Sequence, residues 1–156
     1  MKKAVEIILL PDVDTYRNEY REKYVSNNSF YLWGIAVSFD ERDFDHIFYE
    51  SAPGDKKKKD FSQRRARQMM FMEFLLRGDI DREVMYQPER GTIAIFCKDL
   101  DCVMYLRCRQ GSEKLQIGSF FDFGKDHGKR YRSQKRKCTS VSDVELRRIL
   151  KINKGC

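Results

Sequence analysis

Two histidines, His46 and His127, are the side chains of this chain whose ordinary pKa lies nearest neutral pH. His46 lies in the segment Asp-His-Ile-Phe-Tyr-Glu, with Asp43 three residues before it and Glu50 four residues after it. On a helix these spacings share one face, so the imidazole could move protons in catalysis or could simply lie on the helix surface. His127 lies in Gly-Lys-Asp-His-Gly-Lys-Arg, a setting that favours contact with phosphate over catalysis.

The net charge of +7 is concentrated in two basic stretches. Residues 56–67 and residues 124–137 each hold seven basic side chains and one aspartate, so each carries +6 and the rest of the chain carries −5. This segregation favours a polyanionic partner, because a cationic surface gains affinity by releasing counterions, although either stretch alone could be a solvated loop. The predicted nucleic-acid contacts are Lys57, Lys58, Arg64, Arg67, Arg109, Lys125, Lys129, Arg130 and Arg132.

The composition is that of one globular domain. A chain of 156 residues fits a single core, and 41% hydrophobic with 13% aromatic residues argues against a disordered chain. We expect residues 1–29 to form an N-terminal helical extension, residues 124–140 an exposed basic segment and residues 141–156 a C-terminal helix. No apolar run reaches the ~20 residues that a membrane helix needs, so no membrane partner is expected.

The five cysteines limit the chemistry further. Their number is odd, no CxxC pair occurs and the N-terminus lacks a secretory signal, so we expect a reducing, cytoplasmic compartment and no disulfide framework. Cys97, Cys102 and Cys108 could be combined with His127 in a zinc site, but their spacings of five and six residues match no compact zinc motif. The sequence therefore predicts neither a metal nor another cofactor.

The elements that must position His46 lie in the first part of the chain. Asp14 can cap a helix over residues 15–25, and the apolar residues within 30–39 predict a strand. Asp40 is then expected to cap a short helix on which His46 and Glu50 share the polar face. Turn residues and lysines over 51–60 predict a loop.

The pattern after residue 60 predicts a long helix, a meander and a final helix. The helix covers residues 61–77, with Gly78 as its stop signal. Several arginines crowd its first turns, which is unfavourable at the positive end of a helix unless an anion or a carboxylate is near. Strands are predicted over 91–97, 101–109 and 114–123, with short connections that imply antiparallel pairing. A basic tail or loop follows over 124–137, and Ser142 caps the last helix.

The middle strand of the meander has two chemically different faces. Because side chains alternate along a strand, Cys102, Met104, Leu106 and Cys108 point to one side, and Val103, Tyr105, Arg107 and Arg109 point to the other. The first set predicts the core and the second a cationic, aromatic surface. Taken together, the elements predict an α+β fold, an antiparallel sheet of about four strands with helices mainly on one face.

Three motifs, taken in their order along the chain, resemble those of a known superfamily. His46 within Asp-His-Ile-Phe-Tyr-Glu is followed by Phe61-Ser-Gln-Arg-Arg-Ala-Arg-Gln-Met at the start of a helix, and then by strands, the last of which holds Gly118-Ser-Phe-Phe. This order resembles the barnase, EndoU, colicin and RelE superfamily of metal-independent ribonucleases, most closely its phage-associated branch. The resemblance covers residues 33–123.

The resemblance implies an endoribonuclease of toxin or phage-effector type, which cleaves RNA by attack of the neighbouring 2′-hydroxyl. His46 matches the acid or base of the family, Arg65 its helix arginine and Ser119 its late hydroxyl. To these we add Arg107 as a phosphate clamp and Tyr105 as a stacking or proton-transfer partner. RNA is the implied substrate, DNA offers the same phosphates, and a toxin-type nuclease implies a cognate immunity or antitoxin protein.

Two features depart from the family pattern. Simple alternation puts Ser119 on the buried face with Leu115, Ile117 and Phe121, unless a bulge near Gly118 turns it over. The sheet also holds no second histidine for the opposite proton-transfer role. Two other functions therefore stay open: a nucleic-acid-binding module without catalysis, and a protein-interaction or inhibitor domain whose basic face docks an acidic surface.

Overall fold

The computed structural model describes residues 7–27, 29–51, 58–108, 113–123 and 127–154. The helices of this part of the chain are α1 (Val13–Tyr20), α2 (Asp43–Phe48), α3 (Gln63–Ala66), α4 (Met70–Arg77), α5 (His127–Arg136) and α6 (Asp143–Lys154), and a π-helical turn (Arg21–Val25) continues α1. The strands are β1 (Tyr31–Leu32), β2 (Ile35–Ser38), β3 (Tyr49–Ser51), β4 (Lys58–Phe61), β5 (Glu83–Gln87), β6 (Thr92–Cys97), β7 (Cys102–Cys108), β8 (Leu115–Asp122) and β9 (Thr139–Ser140).

Seven strands form one mixed sheet in the order β1-β2-β8-β7-β6-β5-β9, and β3 and β4 form a separate antiparallel pair. Among the described strands of the large sheet, β2 and β8 run parallel and the other neighbours run antiparallel. The predicted α+β class is confirmed, and the predicted meander is present as β6, β7 and β8. The prediction of about four antiparallel strands is wrong. It missed the five-residue strand β5 and the two-residue strands β1 and β9, of which the last two are too short to show a period-two pattern.

The larger hydrophobic core lies on one face of the sheet. It contains Cys102, Met104 and Leu106 from β7, and helices α1, α2, α4 and α6 all contribute apolar side chains to it. The tyrosine stripe of α1 and the turn after it is fully inside this core, with Tyr16, Tyr20 and Tyr24 0–1% exposed. The N-terminal helix is thus integral to the core. Its cap is Asp12 rather than Asp14, since the Asp12 carboxylate accepts a hydrogen bond from Thr15 N at 2.8 Å.

Two predicted elements of the first part of the chain are subdivided. The strand predicted over 30–39 is a hairpin of β1 and β2, which turns at Trp33 and Gly34, both at positive φ (50° and 79°). The helix predicted over 61–77 is two shorter helices, α3 and α4. Between them Gln68 N and Met69 N bond to carbonyls three residues back, so the turn there is tightened.

The helix that carries His46 is shorter than predicted. Helix α2 ends at Phe48, where the chain turns into β3, so Glu50 lies on a strand and does not share a helical face with His46. Part of the loop predicted over 51–60 is also extended, because β4 begins at Lys58 and pairs with β3. A partner strand within the same chain thus overrides the helical spacing of the local sequence.

The opposite face of the sheet carries a smaller second core. Phe96, Val103 and Phe123 are buried there, and Tyr131 of α5 packs edge-on against Phe96 and Phe123 with ring centroids 5.4 Å apart in each pair. The stretch predicted as a basic tail or loop over 124–137 therefore forms α5 from His127 to Arg136. Tyr131 packs α5 on the apolar surface of the sheet, and Arg130, Gln134 and Lys135 add hydrogen bonds to Phe123, Tyr105 and Glu83.

The start of α6 gives a test of the fold. Ser142 Oγ accepts from Glu145 N and Glu145 Oε1 accepts from Ser142 N, both at 3.2 Å, which is a capping box. We expect Ser142→Ala to cost about 1 kcal/mol of unfolding free energy and to lower Tm by about 2–4 °C in thermal melting. The control is Ser140→Ala on the exposed strand β9, and an equal loss in both variants would contradict the cap.

No helix within the described ranges is long and apolar enough to cross a membrane.

Candidate functional site

A cleft of about 420 Å³ opens on the face of the sheet that carries the smaller core. Its floor is formed by strands β5 to β8, and residues from α2 and α5 reach its rim. The lining residues come from six places along the chain: His46 of α2; Gln87, Arg90 and Thr92 of the β5–β6 hairpin; Tyr105 and Arg107 of β7; Gly118, Ser119 and Phe121 of β8; Gln134 of α5; and Lys137 just after it.

The strand register brings the floor residues side by side. Gln87 pairs with Thr92 across β5 and β6, and Thr92 pairs with Arg107 across β6 and β7. In the next row Tyr105 pairs with Ser119 across β7 and β8. Directly opposed residues on antiparallel strands lie ~4.5–5.5 Å apart, so both rows can contact one ligand.

Ser119 faces the cleft because of a β-bulge. The pairing of β7 with β8 shifts between Tyr105 and Leu106, whose partners are Ser119 and Ile117, so Gly118 is the extra residue. The bulge reverses the alternation after Ile117. Simple alternation, which grouped Ser119 and Phe121 with the buried face, is therefore wrong: both line the cleft, and Phe120 takes the place in the main core.

Gly118 also makes room for the neighbouring arginine. A methyl group added at Gly118 would lie 3.2 Å from the Tyr105 carbonyl oxygen and 3.3 Å from Arg107 Cγ. The aliphatic part of Arg107 therefore passes directly over this glycine, and any side chain here would push it away. A bulge and a close approach thus both require glycine at this position.

The cleft is strongly cationic. Arg90, Arg107 and Lys137 contribute three positive charges and His46 an imidazole, and the described lining residues include no carboxylate. The Arg107 charge acts on the buried carboxylate of Asp43, which accepts a hydrogen bond from Asp40 N at 3.0 Å. Burial raises the pKa of Asp43, while that hydrogen bond and the Arg107 charge oppose the rise. Such a lining suits a ligand with at least one negative charge.

Tyr105 is held as a neutral phenol. Burial raises its pKa to about 12, and its hydroxyl donates a hydrogen bond to Gln134 Oε1 at 3.1 Å. Its ring lies 5.9 Å from that of Phe121, tilted by 31°. With its proton held by Gln134 and a pKa far above neutrality, Tyr105 fits the stacking role predicted for it better than the proton-transfer role.

Arg65 lies beside the cleft and is not among its lining residues. Its Nη1 donates to the carbonyl of Ile47 at 2.9 Å, and its guanidinium lies 5.8 Å from the ring centre of Phe121. It therefore touches the residue after His46 on one side and a wall of the cleft on the other. The catalytic role predicted for Arg65 stays a prediction; these contacts link Arg65 to α2 and to Phe121.

The predicted nucleic-acid contacts are scattered around this centre. Arg64 pairs with Asp122 at 3.3 Å, which supplies the carboxylate expected near the cations of this helix start. Arg130 Nη1 donates to the Phe123 carbonyl at 3.0 Å, and Lys129 and Arg132 are exposed on α5. Arg67 is half-buried. The remaining calls fall outside the described residues: Lys57, Arg109, Lys125 and the side chain of Lys58.

Seven lining residues were not among the site residues predicted from the sequence: Gln87, Arg90, Thr92, Gly118, Phe121, Gln134 and Lys137. Gln87, Arg90 and Thr92 belong to the β5–β6 hairpin, and β5 was not predicted although the turn residues before Gly91 are a signal for it. Gln134 and Lys137 were assigned to an exposed tail. Only the covering of the sheet by α5 brings these two residues to the cleft.

The described residues contain no group of three or more histidine, cysteine, aspartate or glutamate side chains that could hold a metal ion. Comparison of the chain with protein-family models, with curated proteins and with solved structures finds no match in any of the three. These comparisons therefore do not assign a function to the chain.

Proposed function

We propose that the protein is an endoribonuclease of toxin or phage-effector type, which cleaves RNA by attack of the neighbouring 2′-hydroxyl and needs no metal. The observation that carries the proposal is the cleft itself. Four residues selected from the sequence for this chemistry, His46, Tyr105, Arg107 and Ser119, line it together, although 73 residues separate the first from the last.

Each role follows from the chemistry of the step. His46 removes the proton of the 2′-hydroxyl, the 2′-oxygen bonds to phosphorus, and the bond from phosphorus to the 5′-oxygen breaks. Arg107, with Arg90 and Lys137 nearby, stabilises the charge that develops on the phosphate oxygens, and the Ser119 hydroxyl can donate to one of them. The products are a 2′,3′-cyclic phosphate and a free 5′-hydroxyl.

A single imidazole is sufficient for this proton balance. The reaction moves one proton from the 2′-oxygen to the 5′-oxygen, so the imidazolium formed at His46 can return its proton to the leaving oxygen, directly or through water. His46 is exposed at the rim and is therefore open to solvent. Arg65 acts as a positioning residue, through its hydrogen bond to the carbonyl of Ile47.

The substrate and partner classes follow from the same proposal. RNA carries the nucleophile, whereas DNA offers the same phosphates without a 2′-hydroxyl and would be bound but not cut. The exposed cations of α5, Lys129 and Arg132, extend the positive surface beyond the cleft and can hold flanking phosphates. A toxin-type ribonuclease acting in the cytoplasm would also need an immunity or antitoxin protein, and the cationic cleft is the surface for an acidic partner to block.

The test is cleavage of a single-stranded RNA by purified protein in excess EDTA. We expect fragments that end in a 2′,3′-cyclic phosphate, and no cleavage of the same sequence with 2′-deoxy or 2′-O-methyl sugars. RNA retention without cleavage, with an affinity that falls steeply with salt, would favour the non-catalytic binding module instead. No RNA binding at physiological salt would contradict both and favour a protein-interaction domain.

Gly118 gives a prediction that depends on the shape of the cleft. We expect Gly118→Ala to lower cleavage about tenfold or more, because the added methyl group displaces Arg107 from the floor. The matched control is Gly128→Ala in α5, where the new methyl group would meet only the flexible end of Arg132 at 3.4 Å. Equal activity of the two variants in the RNA assay would show that Arg107 does not need its present path.

A further inference from the structure

The end of the cleft at β5 and β6 differs in chemistry from the end at β8. His46, Ser119 and Arg107 belong to α2, β8 and β7, whereas Gln87 and Thr92 belong to β5 and β6. Neighbouring strands are ~4.8 Å apart, so the floor from β8 to β5 spans ~14 Å. This length exceeds that of one phosphate group. A phosphate bound beside His46 and Ser119 would leave the β5–β6 end open to another part of the same ligand.

Besides Arg90 of the same hairpin, that other end is lined by two neutral polar side chains in unusually buried positions. Gln87 is 5% exposed and Thr92 is 9% exposed, although glutamine and threonine are mostly found at the surface. The Thr92 hydroxyl is buried with no hydrogen-bond partner among the described residues. Native proteins rarely leave such a group unsatisfied, because it loses its bonds to water without replacement. Thr92 is one of the residues that line the cleft, so a polar group of a bound ligand is a candidate partner for this hydroxyl.

A third polar group is oriented by its neighbour. Because Tyr105 stays protonated and donates to Gln134 Oε1, the amide of Gln134 is turned so that its NH₂ group is left as a donor. Gln87 adds an amide with both a donor and an acceptor, and Thr92 a hydroxyl with both. A phosphate offers only acceptors and would leave the acceptors of this set unpaired. The edge of a nucleobase offers both kinds, at the spacing that amides read.

We propose that the β5–β6 end of the cleft is a nucleobase subsite, in which Gln87, Thr92 and Gln134 hydrogen-bond the edge of one unstacked base and so select where the RNA is held. The inference rests on the proposed function, since it names the part of the substrate that lies beside the cleaved phosphate. The rings of Tyr105 and Phe121, in the same lining, offer the faces on which the base can stack.

The experiment maps cleavage in a random-sequence RNA pool by sequencing the ends. We expect the wild type to favour one base beside the cut by about tenfold or more, the discrimination typical of a hydrogen-bonded base contact. Thr92→Val and Gln87→Met should reduce this preference to about threefold or less, because cleavage at the favoured base falls more than cleavage at the other bases. Thr139→Val and Gln63→Met, on the exposed β9 and α3, are the matched controls.

A structural role would give a different pattern. Thr92→Val should melt at or above the wild-type temperature, because it removes an unsatisfied buried hydroxyl. A lower melting temperature with an equal loss of rate at all four bases would overturn the subsite, and so would cleavage without base preference or a preference that both variants keep.

A second readout separates this inference from the proposed function. If the wild type does not cut RNA, the ribonuclease proposal fails, and the subsite is then decided by binding to the four homopolymeric 2′-O-methyl oligonucleotides in fluorescence anisotropy. A preference of about tenfold or more for one of them that Thr92→Val removes supports the subsite. Equal affinity for all four, or a preference that Thr92→Val leaves intact, overturns it.

Discussion

His46→Ala is expected to lower the rate of RNA cleavage about 10²–10⁴-fold, the usual contribution of a general acid or base. The reason is specific to this chain: His46 is the one imidazole among the described residues that line the cleft, and Tyr105, with its pKa raised to about 12, cannot replace it near neutral pH. The measurement is the single-turnover cleavage rate of a labelled RNA oligonucleotide.

The control separates chemistry from folding. His46 is exposed, so its removal should change the unfolding free energy by no more than about 0.5 kcal/mol, and RNA affinity, measured with a 2′-O-methyl oligonucleotide, should stay within a few-fold of the wild type. Loss of activity together with loss of the folded state would contradict the expectation that His46 can be removed without unfolding the protein. Cleavage at the wild-type rate by folded His46→Ala would remove the histidine from the mechanism.

Arg107→Ala is expected to have the second largest effect, a loss of about 10²–10³-fold in cleavage, comparable to the removal of one preorganised charge-stabilising donor. Arg107 lies at the centre of the floor, between Thr92 on β6 and the bulge on β8, and its path over Gly118 fixes its direction. Arg107→Lys should recover only part of the loss, because an ammonium keeps the charge but cannot make two parallel bonds to a phosphate.

Salt dependence supplies an independent measurement on the same variant. If Arg107 neutralises one phosphate, the slope of log K against log salt should fall by about one for Arg107→Ala. The matched control is Arg148→Ala, an exposed arginine of α6, whose helix packs on the other face of the sheet through Leu146 and Leu150. An equal change of slope in both variants would mean that the binding is diffuse and that the cleft does not direct it.

The His46 and Arg107 variants test different parts of the proposed mechanism, proton transfer and phosphate binding. A chain that binds RNA through Arg107 but does not depend on His46 would be a binding module with a charged cleft. A chain that depends on His46 but not on Arg107 would keep its chemistry and draw its phosphate contacts from Arg90 or Lys137, which line the same cleft. Both results are read from the same two assays.

The chemistry-bearing residues were identifiable from the sequence because they depend on local patterns. Alternation along a strand placed Tyr105 and Arg107 on one face and Met104 and Leu106 on the other, and the structure confirms both assignments. The meander, the α+β class and the last helix with its Ser142 cap were predictable for the same reason. In each case a hydrophobic period or a capping residue acts over fewer than about ten residues of chain.

Contacts between residues distant in sequence explain the elements that local patterns predicted incorrectly. Pairing with β4 places Glu50 on a strand rather than on the helix of His46, and packing of Tyr131 on the second core makes the predicted basic tail a helix, α5. The bulge at Gly118 brought Ser119 to the cleft, a possibility that the glycine suggested but that only its register with Tyr105 could establish. One extra residue in a strand reverses every side chain after it, and local sequence contains no direct measure of that register.

The sequence by itself determined which residues we propose for the chemistry of this protein: one histidine, one arginine on an open strand face and two basic stretches. Only the tertiary structure decided that His46, Arg107 and Ser119 share a cleft, that Arg65 lies beside it, and that Gln87 and Thr92 complete its far end. The physical reason is that residue type and hydrophobic periodicity are local properties of the sequence. A cleft is formed by strands and helices distant in sequence, whose contacts exist only after the two cores have been buried.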